Sequence, residues 1–175
     1  FGDEARSKVR KSAGYVEAIV EEGEVVYGIN TGFGPLCNTV ISKDKTAQLQ
    51  DNILRSHSVG VGKPIAPEIA KAMMVLKVHN LSMGLSGIQE STLDRIIFFI
   101  ENDIIPVVPE QGSVGASGDL APLAHLFLPL IGLGEVFFEG KRKETAEVYQ
   151  RFGLEPIQLK AKEGLALING TQFIA

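Results

Sequence analysis

The sequence contains no tryptophan and one cysteine, Cys37, in 175 residues. A lone thiol cannot close an internal disulfide or build a cysteine metal cage. Such sparing use of cysteine is expected of a reducing, cytoplasmic compartment. No apolar run reaches the ~20 residues that a bilayer span requires. The longest, Leu120 to Leu133, is broken by Pro122, His125 and Pro129, and it reads as buried core. The start of the chain shows no charged n-region followed by an apolar h-region, so no signal peptide is visible. Positive charge is thin: 17 Lys and Arg stand against 21 Asp and Glu, and neither Lys nor Arg occurs between Ile96 and Gly140. A chain of net charge −4 without a basic cluster is a poor partner for nucleic acid or an anionic membrane. There is also no initiator Met, and the chain stops inside the apolar run Phe173-Ile174-Ala175, as expected of a fragment of a longer protein.

What remains is an ordinary folding composition, 45% hydrophobic and 22% charged. At about 150 residues per domain it amounts to one domain or slightly more. Helical periodicity dominates. Glu4 to Glu21 predicts an amphipathic helix ended by Gly23, with Val9, Tyr15, Val16, Ile19 and Val20 as its apolar positions. Glu24 to Tyr27 predicts a short strand. Helices are predicted over Ser42 to Ser56 with Ser42 as N-cap, Ala66 to Met83 with Pro67 in the first turn, and Ile88 to Asn102. Met73, Met74 and Met83 read as core. After a loop over Pro106 to Gly118, Asp119 is placed to cap a helix reaching about Ile131. A hairpin around Gly140, a helix over Thr145 to Phe152 and another from Glu163 to Ile168 follow.

Two glycine-rich segments carry the chemistry. Gly28-Ile-Asn-Thr-Gly-Phe-Gly34-Pro35 must be a loop, and its missing side chains let backbone approach a ligand or another chain. The second is Gln111-Gly-Ser-Val-Gly-Ala-Ser-Gly118-Asp119. The spacing argues against a phosphate cradle, since it lacks both the Gly-Lys-Ser/Thr of a P-loop and G-x-G-x-x-G after a strand. The six acids between Ile96 and Gly140 would also repel a polyanion. Two explanations remain: a tight turn ending in an Asp cap, or a covalent one. In Ala116-Ser117-Gly118, Gly118 offers an unhindered amide nitrogen, Ala116 a lightly covered carbonyl and Ser117 a hydroxyl that can be eliminated. A sharply bent backbone could close a five-membered ring from them, provided its surroundings hold the strain.

Residues 112–125, Gly-Ser-Val-Gly-Ala-Ser-Gly-Asp-Leu-Ala-Pro-Leu-Ala-His, resemble the signature of the aromatic amino acid ammonia-lyases, most closely their histidine-specific branch. Tyr27 to Gly34 resembles the family's tyrosine loop, Ser56 to Gly62 its substrate-selectivity segment, and Glu163 to Gln172 its asparagine segment. The resemblance implies a mainly α fold: a helical bundle of the fumarase/aspartase type with a few short strands in the N-terminal part. Residues 1–105 would form an N-terminal helical and loop part, and 106–175 the prosthetic-group loop with the start of the central helices. The implied active enzyme is a homotetramer whose sites combine residues of several subunits. Its prosthetic group would be 4-methylidene-imidazol-5-one (MIO), made autocatalytically from Ala116, Ser117 and Gly118 with help from Asp119, and no metal or soluble cofactor would be needed. Elimination of ammonia from an α-amino acid involves a poor leaving group and a non-acidic β-proton, which no unmodified side chain can activate.

On the same resemblance Tyr27 is the acid/base, Asn169 and Gly34 contact the substrate, and His57 reads its ring. A free phenol ionises near ~10, so the role of Tyr27 asks for tuning. Ser56-His57 favours L-histidine, giving trans-urocanate. Arg55-Ser56-His57 is also found in tyrosine-specific relatives, so a tyrosine or phenylalanine ammonia-lyase or aminomutase of the same family, with L-tyrosine as the alternative substrate, stays open. The residue types alone permit blander roles: a buried Tyr27, a His57 satisfied near a helix end, an Asn169-Gly170 turn, a structural His125, a surface His79, or a helical interaction module without catalysis.

Overall fold

The computed structural model describes residues 1–32 and 41–175. Among them the chain forms seven α-helices and five short strands. Helix α1 (Asp3–Glu22) ends at Gly23, as its periodicity predicts. Its buried side chains are Val9, Ala13 and Val16, whereas Tyr15 is exposed. The strand predicted over Glu24 to Tyr27 does not form. The Asn30 side chain takes the donor a strand would need: Val26 N–H donates to Asn30 Oδ1 at 2.9 Å, and Asn30 Nδ2 donates to the Glu24 carbonyl at 2.6 Å. A turn results, with Ile29 N–H on the Val26 carbonyl at 3.1 Å.

Helices α2 (Lys43–His57), α3 (Pro67–Ser82) and α4 (Glu90–Glu101) follow their predicted spans closely. Pro67 opens α3 where its missing N–H had no helical partner. Met73 and Met74 are buried, but Met83, expected in the core, is 55% exposed just beyond the helix end. Helix α5 (Leu120–Phe127) is shorter than predicted, giving way to a 3-10 turn at Leu128–Ile131 that carries Pro129. Nearly every side chain of α5 is buried, so it is the central element. Helix α6 (Thr145–Phe152) and helix α7 (Glu163–Ile168) complete the set.

Two small antiparallel sheets tie the helices together. Strand β2 (Ile105–Pro106) pairs with β4 (Glu135–Phe138), which pairs with β5 (Lys141–Glu144). The hairpin between β4 and β5 turns at Glu139 and Gly140, both with positive φ (53° and 71°). That is the two-residue turn whose twist suits a hairpin. Strand β1 (Val61–Pro64) pairs with β3 (Pro109–Gln111), placing Val61 opposite Gln111. Neither of these last two strands is predicted by the sequence. Both are short and largely exposed, and neither alternates in polarity.

The core runs continuously from Val9 through Leu54, Met73, Leu93, Leu123 and Phe127 to Leu167. Helices α2, α5 and α7 pack pairwise against one another. The Gln50 side chain joins two of them, accepting the Gly164 N–H at 2.9 Å. The turn after α2 bonds to α5 at His125, and the segment after α7 bonds to Asp119, the residue that precedes α5.

Candidate active site

At the N-terminal end of α5, Asp119 is fully buried, but its side chain makes no cap to the helix it precedes. Its Oδ1 accepts the Ser113 hydroxyl at 2.6 Å. Its Oδ2 accepts two main-chain N–H groups, Phe173 at 2.9 Å and Ile174 at 3.0 Å. The expected helix cap is thus replaced by a clasp between the 112–118 loop and the segment after α7. Both of its oxygens are taken by these donors, and ψ 55° at Asp119 departs from the extended geometry of a capping residue. The main chain adds a second tie, Asp119 N–H to the Gly170 carbonyl at 2.7 Å.

Gly118 is pressed against that same carbonyl. It has φ +105°, and a Cβ added to it would lie 2.5 Å from the Gly170 oxygen. Conformation and space both demand glycine here. Ala116 and Ser117 stand exposed on the bend before it. Ala-Ser-Gly is the donor set the MIO group requires, and Gly118 occupies a cradle that any side chain would fill, so the residues fit that group.

His57, the last residue of α2, is half-buried. Its Nδ1 lies 2.8 Å from the Ile53 carbonyl and 3.1 Å from Ser56 Oγ. A carbonyl only accepts, so in the neutral ring the proton sits on Nδ1 and Nε2 keeps its lone pair. The turn after His57 reaches the loop before the triad in two ways. The β1–β3 pairing sets Val61 beside Gln111, and Gly60 N–H donates to His125 Nε2 at 3.0 Å. His125 is therefore a structural acceptor on α5, as expected.

Burial holds the His125 pKa below the usual histidine value. The unfolded chain therefore takes up the proton first as pH falls. Stability is fully present above about pH 6.5 and declines as the pH drops below it. A thermal midpoint followed from pH 7.5 to 5 should show that decline, weakened in His125→Gln, whose amide oxygen can still accept from Gly60. An identical pH slope in the variant would contradict the assignment.

Asn169 caps the C-terminal end of α7, with its N–H on the Leu165 carbonyl at 3.0 Å. It is exposed and borders a cavity of about 490 Å³ with Asn80, Lys162, Gly170 and Gln172. Through these contacts the turn after His57 meets the loop before the triad, and Gly118 and Asp119 meet the turn after Asn169. Tyr27 lies 60% exposed in the 27–29 turn. Gly34 and Cys37 lie outside the described residues.

Sequence reasoning missed Lys77. It is completely buried on α3, and its ammonium donates to the Asn169 carbonyl at 2.7 Å. The signal was present: Ala70, Met73, Lys77 and Leu81 form one apolar stripe at helical spacing, with a cation where a hydrophobe belongs.

Among the described residues no helix is long and apolar enough to cross a membrane. The family described as aromatic amino acid lyase matches residues 1–175. The histidine ammonia-lyase of Symbiobacterium thermophilum is 53% identical over 169 residues, 97% of this chain and 33% of its own length. That of Deinococcus radiodurans is 47% identical over 170 residues, 97% of this chain and 32% of its own. Among solved structures, histidine ammonia-lyase from Trypanosoma cruzi superposes with a TM-score of 0.90 at 42% identity, covering 99% of this chain and 34% of that one. A tyrosine aminomutase with bound ligand reaches 0.91 at 39% identity, covering 99% and 32%. The chain thus spans about a third of the length of the curated relatives it matches.

Proposed function

The chain belongs to the aromatic amino acid lyase family, and on that premise we propose that it supplies the prosthetic-group loop and ring reader of a histidine ammonia-lyase. The reaction is elimination of ammonia from L-histidine to give trans-urocanate, in a cytoplasmic homotetramer of the relatives' full length. The observation that carries it is Gly118: a left-handed backbone with no room for a side chain, clamped on Gly170, beside an open Ala116-Ser117. Ring closure joins the Gly118 nitrogen to the Ala116 carbonyl carbon and expels one water. Loss of the Ser117 hydroxyl with its α-hydrogen expels a second. The resulting MIO supplies an electrophile stronger than any natural side chain.

The chain's own residues do the rest. Asp119 holds the loop and the 170–174 segment in one geometry. His57 offers the Nε2 lone pair to an N–H of the substrate imidazole, its ring fixed by Ile53. Asn169 presents its amide at the rim of the neighbouring cavity and contacts the amino-acid portion of the substrate. Tyr27 is the acid/base, and Gly34 lets the tyrosine loop approach the substrate closely. Histidine is favoured over tyrosine by the names of the curated relatives at about 50% identity.

The test is intact mass and product formation on the complete protein. We expect a deficit of two waters mapping to residues 116–118, and urocanate from L-histidine outpacing coumarate from L-tyrosine. Preference for L-tyrosine would make the protein a tyrosine ammonia-lyase or aminomutase of the same family. No deficit in a folded, assembled protein would overturn the prosthetic group and favour a non-catalytic helical module.

A further inference from the structure

We propose that Lys77 is a positioning residue for the prosthetic-group loop, holding the Asn169–Gly170 turn in place through the Asn169 carbonyl. This rests on the function proposed above and deepens it. Lys77 is fully buried and is absent from every ion pair found among the described residues, although a buried ammonium normally demands a carboxylate. Its bond goes instead to a main-chain oxygen, at 2.7 Å, 92 residues away in sequence. Burial lowers its pKa to about 8, so the fold bears a cost for keeping a cation there. Methionine, which is similar in length and already abundant on this stripe, would fill the space without that cost.

The location suggests what the cost sustains. The next carbonyl along the chain, that of Gly170, accepts the Asp119 N–H at 2.7 Å and abuts Gly118. Two consecutive carbonyls therefore work as a pair: one is gripped by Lys77 from α3, and the other presses on the residue that must donate its nitrogen to the ring. The same grip orients Asn169 at the cavity rim. An ammonium suits this work because its bond to a carbonyl is charge-assisted and shorter than a neutral one. A turn that shifts by an ångström changes both the bend of the triad and the placement of the asparagine amide, and misplacement of that size costs about a hundredfold in rate.

The test uses the complete protein carrying Lys77→Met, Lys77→Gln or Lys77→Arg. The readouts are intact mass, thermal midpoint, assembly state, and kcat and KM for L-histidine. We expect K77M to assemble with a midpoint no lower than wild type, to retain a fraction of chains without the two-water deficit, and to lose about 10- to 100-fold in kcat. K77R should recover most of the deficit and the rate. K77Q, whose amide stops short of the carbonyl, should behave like K77M. A fully cyclised K77M with wild-type kcat overturns the assignment. So does an activity loss that simply follows a fallen midpoint, or failure of both K77M and K77Q to assemble, since either makes Lys77 a structural residue. A wild-type protein without the deficit overturns the prosthetic-group function itself, and the assignment with it. A cyclised wild type beside an indifferent K77M overturns the assignment alone.

Discussion

Gly118→Ala is expected to leave the complete protein without the two-water deficit and without measurable ammonia release. The added methyl must go where the Gly170 oxygen already stands, 2.5 Å from its ideal position, and the backbone must keep φ +105° with a side chain attached. The left-handed conformation alone costs roughly 1–2 kcal/mol for a non-glycine residue. Relieving the clash means pushing the 170 turn away, which breaks the 2.7 Å bond to Asp119 N–H. The natural control is Gly115→Ala in the same loop. Gly115 also has positive φ, +65°, but nothing lies within 4 Å of its missing Cβ. It should carry about 1 kcal/mol of backbone strain and still cyclise. Intact mass and denaturant midpoints on both variants check the pair. If G118A cyclised as completely as G115A, the packing argument would be wrong.

Asp119 gives the second large effect, and two substitutions separate what it holds from what its charge does. Asp119→Ala leaves the part-buried Phe173 and Ile174 N–H groups and the Ser113 hydroxyl without this acceptor, and opens a small void where the buried carboxylate stood. Hydrogen bonds to a charged acceptor contribute about 1.5–3 kcal/mol each and are not additive, so a loss of ~3–5 kcal/mol is expected. Asp119→Asn keeps the shape. Its amide oxygen can accept from the two main-chain donors, while its NH₂ donates to Ser113 Oγ, which as a hydroxyl can reverse its role. D119N should therefore unfold within ~1 kcal/mol of wild type. If the carboxylate also assists cyclisation, D119N remains folded and uncyclised. Equal stability of D119A and wild type would remove the clasp from the account.

The helices were legible because their signals are local. Gly23 and Gly153 end α1 and α6 in left-handed conformations, and Pro67 starts α3. The Thr145–Phe152 and Glu163–Ile168 helices have the bounds that periodicity predicts. What failed depends on partners that the apolar periodicity does not record, some far along the chain and one, Asn30, only four residues away. Val61–Pro64 is a strand only because Pro109–Gln111 lies beside it. Val25 and Val26 look like a strand, but the Asn30 amide is a stronger claimant on Val26 N–H. Asp119 sits where a helix cap belongs, yet three donors from elsewhere outcompete the helix for its oxygens. The candidate site divides in the same way. His57, the Ala-Ser-Gly triad and Asn169 were visible as motifs, whereas Lys77 was hidden by its type, because a lysine in a helix is ordinarily assigned to solvent.

The short ribbon of Val61–Pro64 against Pro109–Gln111 has an evolutionary corollary. It fastens the stretch after His57 to the stretch before Ala116 through main-chain bonds, which do not depend on which side chains the strands carry. On the function proposed above, the end of α2 could be re-lettered for another aromatic ring while the prosthetic-group loop keeps its alignment. Under that proposal one scaffold would change its diet without re-inventing its chemistry, and this chain does superpose closely on proteins named for tyrosine and phenylalanine.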